Sequence, residues 1–146
     1  MELIPDQVVA ALAGTPVPGV PEQALPLLTV DDAGFPHVCL LSRAEVEADA
    51  DEVRVAVAST RTRANLERDG RACLLVVETT NAHYLTLRVT RALVEEGRLG
   101  AALELVEHRP DSLGIPLDPI RFTPTDALAQ LEHWDLSART LTALRC

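Results

Sequence analysis

Val53-Arg54-Val55-Ala56-Val57-Ala58 runs directly into Ser59-Thr60-Arg61-Thr62-Arg63-Ala64-Asn65-Leu66. In the first six residues valines alternate with Arg54, Ala56 and Ala58, the period-two signature of a strand with one better-buried face. At Ser59 the period changes. Thr60 can cap a short helix from about Arg61 to Asp69, with Ala64 and Leu66 available for burial and Gly70 to end it. A strand end feeding a helix start gathers hydroxyls, backbone N–H groups and the guanidinium groups of Arg61 and Arg63 in one small region. Those are the parts of an anion site: first-turn N–H groups point at the ligand, and arginine adds charge-assisted bonds to phosphate oxygens. A plainer reading stands beside it, in which Ser59 or Thr60 only caps the helix and the arginines solvate a surface against Glu67 and Asp69.

Working outward, Leu25 to Val30 reads as a strand, Asp31-Asp32-Ala33-Gly34 as a tight reversal and His37 to Glu47 as the returning strand. Asp49-Ala50-Asp51-Glu52 then turns the chain into the valine-rich strand, so an antiparallel meander is the simplest topology. On the other side, Ala72 to Thr79 is nearly all apolar, as a central strand is. His83 to Glu95 is the longest β-like stretch, with Leu85, Leu87, Val89 and Leu93 on one face and Tyr84, Thr86, Arg88 and Thr90 on the other. A strand this long curls around a small barrel and leaves its polar face to water, a ligand or a partner. Arg98 to Arg109 reads as an amphipathic helix through Leu99, Ala102, Leu103 and Val106. A proline-containing loop from Asp111 to Pro119 leads to a short strand at Ile120 to Thr123. Helices are expected from a cap at Asp126 through Ala127, Leu128 and Leu131 as far as Trp134, from Leu136 to Leu144, and from Asp6 to Ala13 before the Gly- and Pro-rich linker Gly14 to Pro21.

A chain of 146 residues fits one domain. Its 22 acidic and 13 basic residues give a net charge of −9, which opposes binding to a polyphosphate backbone, so no nucleic-acid partner is expected. No apolar run is long enough to cross a bilayer, and Met1 to Asp6 lacks the basic region of a secretory signal, so the expected setting is cytoplasmic. Three cysteines, Cys39, Cys73 and Cys146, cannot all pair within one chain, which fits a reducing compartment.

The familiar catalytic motifs are absent: there is no GxSxG, no HExxH and no GxGxxG behind a strand. His37, His83, His108 and His133 are far apart with no cysteine pair nearby, so no metal site is expected. His83 suits proton transfer by type, but its place at the start of a strand fits packing better, and no catalytic residue is nominated. Trp134 and Tyr84 read as core or interface anchors rather than stacking partners for a cofactor.

The order of these segments resembles the pyridoxamine 5'-phosphate oxidase-like, FMN-binding split barrels. The likeness is carried by Leu28 to Val38, with its Asp-x-x-Gly-x-Pro-His turn, by Val53 to Ala58, by the basic segment Ser59 to Leu66 closing on Asn-Leu, and by Ala72 to Val77. It continues into Ala92-Leu93-Val94-Glu95-Glu96 and covers roughly residues 24 to 96. The resemblance implies a mainly β fold, a split β-barrel of about six antiparallel strands with peripheral helices. Its expected units are an N-terminal helix and linker (1–23), the barrel (24–125) and a C-terminal helical extension (126–146).

It also implies a homodimer with FMN in a groove between subunits and a flavin-dependent oxidoreductase activity on an unknown small-molecule substrate. Ser59, Thr60, Arg61 and Arg63 would then serve the phosphate, Asn65 would brace the helix start, and Val38, Cys39, Leu40 and Leu41 would lie beside the ring. The outward face at Tyr84, Thr86 and Arg88 is the candidate dimer or ligand surface. Two positions depart from the pattern: Thr62 stands where many members carry a basic residue three before the Asn-Leu pair, and Phe35 where many carry arginine before the turn proline. The basic C-terminal segment of the authentic oxidases is also missing, which argues against that specific reaction. The alternatives on the same fold are a non-enzymatic dimeric protein with an altered or empty flavin site, or one that holds haem or a deazaflavin.

Overall fold

The computed structural model describes residues 2–145; Cys146, one of the three thiols considered above, lies outside the described residues. A short helix α1 (Asp6–Leu12) is followed by strands β1 (Glu22–Gln23), β2 (Leu25–Val30), β3 (Pro36–Leu41), β4 (Val46–Ala48) and β5 (Val53–Val57). Helix α2 (Thr60–Asp69) separates these from β6 (Arg71–Glu78), β7 (Asn81–Glu95), β8 (Arg98–Ser112) and β9 (Arg121–Phe122), and helices α3 (Asp126–Leu131) and α4 (Trp134–Leu144) close the chain. Seven strands form one antiparallel sheet in the order β3-β2-β6-β7-β8-β5-β4, while β1 and β9 pair separately.

That order forces the sheet to curl. β3 and β4 are its two opposite edges, yet only residues 42–45 join them, and a link that short spans about 17 Å at most. The edges must therefore approach each other, which makes the sheet a barrel with a seam. The expected single strand from His37 to Glu47 is thus two strands on opposite edges, and the expected meander gives way to a chain that crosses the seam. The corner is built locally: Ser42 Oγ donates to Glu45 Oε1 at 2.8 Å, the Ser42 N–H donates to the same oxygen at 3.2 Å, and the Glu45 carbonyl accepts from the Ala56 N–H at 2.9 Å.

The larger correction concerns Arg98 to Arg109. The segment is β-strand, not helix, and pairs with β7 along its length and with β5 from Leu99 to Leu103. Its leucines satisfy two periods at once: Leu99 and Leu103 fit a helix face, but Leu99, Ala101, Leu103 and Leu105 also alternate, and all four are buried. What decides is the turn before it. Glu96 and Gly97 both adopt positive φ, 49° and 78°, the mirror-image turn whose twist matches a hairpin.

The barrel interior is filled by Leu25 and Leu27 from β2, Val53, Val55 and Val57 from β5, Leu74 and Val76 from β6, and Leu85 and Leu87 from β7. Ile4, Val8 and Leu12 from the N-terminal segment join this same core, packing α1 against β4 and β6. β7 follows the expected alternation, with Leu85 and Leu87 in and Tyr84, Thr86 and Arg88 out. β5 does not leave a wet face, because α4 covers its far side and Arg54 is itself buried. Arg54 is tolerated there because three carboxylates surround it: Glu47, Asp49 and Glu52 lie 2.8, 2.7 and 2.8 Å from its guanidinium nitrogens. Arg145 from the end of α4 and Arg91 from β7 extend the cluster to Glu47 and Glu52, at 2.7 Å each. Among the described residues no helix is long and apolar enough to cross a membrane.

Candidate functional site at the strand-to-helix junction

Helix α2 begins one residue before the expected position. Ser59, not Thr60, is the cap: its Oγ accepts from the Thr62 N–H at 3.3 Å, and Gly70 closes the other end in the left-handed conformation, φ 70°. The N–H groups of Thr60 and Arg61 remain outside the intrahelical ladder, as first-turn donors do, and both side chains are exposed.

The inward face of α2 differs from the expected one. Ala64 is exposed, while Thr62, Asn65 and Leu66 are buried against β2, β3 and β6. Asn65 braces the helix by donating from Nδ2 to Thr29 Oγ1 on β2 at 2.9 Å, and its Oδ1 accepts from Arg68 Nη1 at 3.2 Å. Arg68 also donates to the Val30 carbonyl. Thr62 is fully buried and its hydroxyl has no hydrogen-bond partner of good geometry; the group beside it is the Cys39 thiol of β3. Burial holds that thiol above its usual range, only partly offset by the Thr62 hydroxyl, so Cys39 is an uncharged, unreactive group. Thr62 therefore cannot replace the missing basic side chain with a hydroxyl facing a ligand.

The two arginines stand on different sides of the helix, as residues two apart must. Arg61 borders a depression of about 470 Å³ together with Asp31, Asp32, His37 and Arg68. Arg63 turns toward the β7–β8 turn, where its Nη1 donates to the Gly97 carbonyl at 3.1 Å and its Nε lies 3.5 Å from Glu67 Oε1. Arg68, which sequence reasoning did not single out, shares the depression with Arg61 because it follows by seven residues, two helical turns. That spacing was the available signal.

β3 supplies the apolar side. Val38 and Leu40 point outward and are each 53% exposed, whereas Cys39 and Leu41 face the barrel interior. The residues expected beside a ring thus divide by the strand period, and only Val38 and Leu40 offer side chains to a ligand on the outer face. The start of β3, at Pro36 and His37, lines the Arg61 depression. Its end, at Leu40 and Leu41, lines a second cavity of about 330 Å³ beneath β9 and the C-terminal helices. The outer strip continues across the sheet: Leu28 on β2, Cys73, Leu75 and Val77 on β6 and Tyr84 on β7 are all partly or fully exposed.

His83 faces the barrel end, not this surface. It is 2% exposed, its Nδ1 lies 2.9 Å from His108 Nε2, and the two rings stack at 5.1 Å. Burial first, then the neighbouring His83, depresses the His108 pKa, and the stacked rings read as packing at the barrel end. Among the described residues no group of three or more His, Cys, Asp or Glu side chains is arranged to hold a metal ion.

Neither a protein-family model nor a curated protein sequence matches the chain. Solved structures do. The styrene monooxygenase flavin reductase of Pseudomonas putida S12 superposes with a TM-score of 0.56 at 10% identity, over 79% of this chain and 91% of that one. An FMN-binding protein from Syntrophomonas wolfei subsp. wolfei gives 0.51 at 18% identity, over 61% and 77%. A protein named F420 reductase gives 0.52 at 12% identity, over 60% and 90%. Identities this low speak for the fold alone: the chain is a split β-barrel of the kind seen in FMN-binding proteins and flavin reductases.

Proposed function

We propose that the protein binds FMN and acts as a flavin-dependent oxidoreductase, as a homodimer with the cofactor between subunits. The observation that carries this reading is the start of α2: a capped helix N-terminus with exposed Thr60 and Arg61, flanked on its other side by Arg63. Helix side chains lean toward the N-terminus, so arginines on two sides of the first turn can both close on an anion placed ahead of it on the helix axis. Arg61 is exposed, and Arg63 gives up one bond to a backbone carbonyl and a loose contact with Glu67. The ring would rest on the outer face of β3, against Val38 and Leu40, and a second copy of the chain would cover the apolar strip from Val38 to Tyr84. Bound flavin supplies the electron transfer, while the chain supplies position and electrostatics.

A second reading follows from Thr62. Because this residue is buried, the site lacks one of the charges many relatives of this type place there, which favours a weakened or altered cofactor site and a binding role without turnover. The fold likeness to a protein named F420 reductase keeps a deazaflavin within the same reading. Mass spectrometry of the small molecule released when the purified protein is denatured tests both. FMN supports the first reading, a deazaflavin or haem the second, and NADH or NADPH turnover with added FMN separates enzyme from binder.

A further inference from the structure

The cavity beside Leu40 has no part in holding a phosphate, and its chemistry differs from that of the α2 junction. Its roof is the corner between α3 and α4. His133 takes the left-handed conformation, φ 52° and ψ 53°, which breaks the helix and starts α4 at Trp134. Arg98 of β8, 7% exposed, clamps this corner to the barrel: Nη2 donates to the Glu132 carbonyl at 2.7 Å and Nε to Ser137 Oγ at 3.4 Å. The clamp holds the segment carrying Leu128, Glu132 and Trp134 beside Leu40, Phe122 and Glu45, and together they line an open-mouthed cavity of about 330 Å³. That is the lower end of the range for small-molecule sites.

Two carboxylates of the lining are unspent. Both hydrogen bonds that Glu45 accepts, from the N–H and the hydroxyl of Ser42, go to Oε1, so Oε2 takes no part in the corner. Glu132 brings a second carboxylate to the same space. The one cation in the lining, Arg121, is turned to Asp118 at 3.4 Å, and Arg98 lies behind the corner, spent on Glu132 and Ser137. Two acids and an electron-rich indole around apolar walls select a cation with an apolar body, and the net charge of −9 draws such cations in.

We propose that this cavity binds a small organic ammonium with an aromatic body, its charge against Glu45 and Glu132 and its ring among Leu40, Phe122 and Trp134. The site goes beyond the flavin reading: it meets the proposed ring position only at Leu40 and Leu41, and none of the phosphate-side residues line it. Burial, and then the Glu132 charge, raise the Glu45 carboxyl above its usual range, with Ser42 and Arg98 pulling the other way. Ammonium affinity should therefore fall as pH drops through the raised Glu45 pKa.

Trp134 is the single tryptophan of the chain, so its fluorescence reports on this cavity alone. The experiment titrates the purified protein, with flavin neither added nor removed, with 2-phenylethylammonium, neutral 2-phenylethanol and anionic phenylacetate. The expected result is saturable binding of the ammonium at least tenfold tighter than the alcohol, none of phenylacetate, and a loss of about tenfold in Glu45→Gln. Glu132→Gln, at an exposed helix end where folding is not at stake, lowers ammonium affinity by a smaller factor. Equal binding of the three probes, no saturable binding, or unchanged ammonium affinity in both variants would overturn the proposal. FMN affinity stays as in the wild type in both variants, so failure here and failure of the flavin reading are told apart.

Discussion

Asn65 and Thr29 share a buried hydrogen bond, Nδ2 to Oγ1 at 2.9 Å, across 36 residues of sequence. The bond fastens the middle of α2 to β2, and Arg68 is held in turn by the other end of the same amide. The proposed phosphate site therefore stands on a fixed helix rather than on a loop.

Asn65→Ala removes the donor and leaves Thr29 Oγ1 buried with one partner fewer. A loss of about 1 to 3 kcal/mol is expected, the cost of a buried polar group left unpaired. Urea midpoints measure it, and FMN affinity should fall in the same variant because α2 loses its anchor to β2.

Arg54→Ala strands Glu47, Asp49 and Glu52 around an empty centre. Because those acids stay partly wet, the expected loss is about 2 to 3 kcal/mol, below that of breaking a fully buried pair. Thermal melts read the change, and Arg54→Met, which keeps the volume without the charge, tests whether the arginine acts by packing or by pairing.

Acid should unfold this cluster first. Burial pushes Glu47 and Asp49 up, but the hydrogen bonds they receive, from Arg145 and Arg54 for Glu47 and chiefly from Arg54 for Asp49, outweigh it and hold both carboxyls below their usual range. Arg91 does the same for Glu52 against its burial. A lowered folded-state pKa gives stability that is fully present above the ordinary carboxylate range and is lost as pH falls through the folded value. Denaturant midpoints should therefore be flat near neutrality and drop below about pH 4, near the ordinary carboxylate pKa. In Arg54→Ala that acid-dependent drop should shrink.

Gly100 marks where α4 meets the barrel. A Cβ there would lie 2.6 Å from Thr140 Cγ2 and 3.2 Å from Leu144 Cδ1. Gly100→Ala should destabilise by about 1 to 3 kcal/mol through overpacking, and Thr140→Ser in the same chain should recover part of it. Differential scanning calorimetry of the two variants gives both quantities.

The barrel was legible where residues carry one period only. β7, with leucines in and Tyr84, Thr86 and Arg88 out, and β5, with its valines, were read correctly as strands. Arg98 to Arg109 failed because leucines and alanines spaced by two and by four describe a strand and a helix equally, and the deciding turn at Glu96-Gly97 was not weighed. The corner at Ser42 to Glu45 was invisible for a different reason: the Glu45 carboxylate makes it by accepting from the Ser42 N–H and hydroxyl, while β3 and β4 are opposite ends of the strand order that only the curl of the sheet brings together. At the site, a capped helix start directly after β5 was readable from local helix chemistry, although the cap is Ser59 and not Thr60. The burial of Thr62 and the engagement of Arg63 with Gly97 depend on which side of α2 meets the sheet, which only the fold determines.

The central claim is that the first turn of α2 holds a flavin phosphate. FMN titration by flavin fluorescence, on the wild type, Arg61→Ala and Arg63→Ala, tests it most directly. The account predicts saturable binding by the wild type and a loss of roughly tenfold to a hundredfold in each variant, the worth of one charged hydrogen bond. A wild type that does not bind FMN, or two variants that bind it as tightly as the parent, would contradict it.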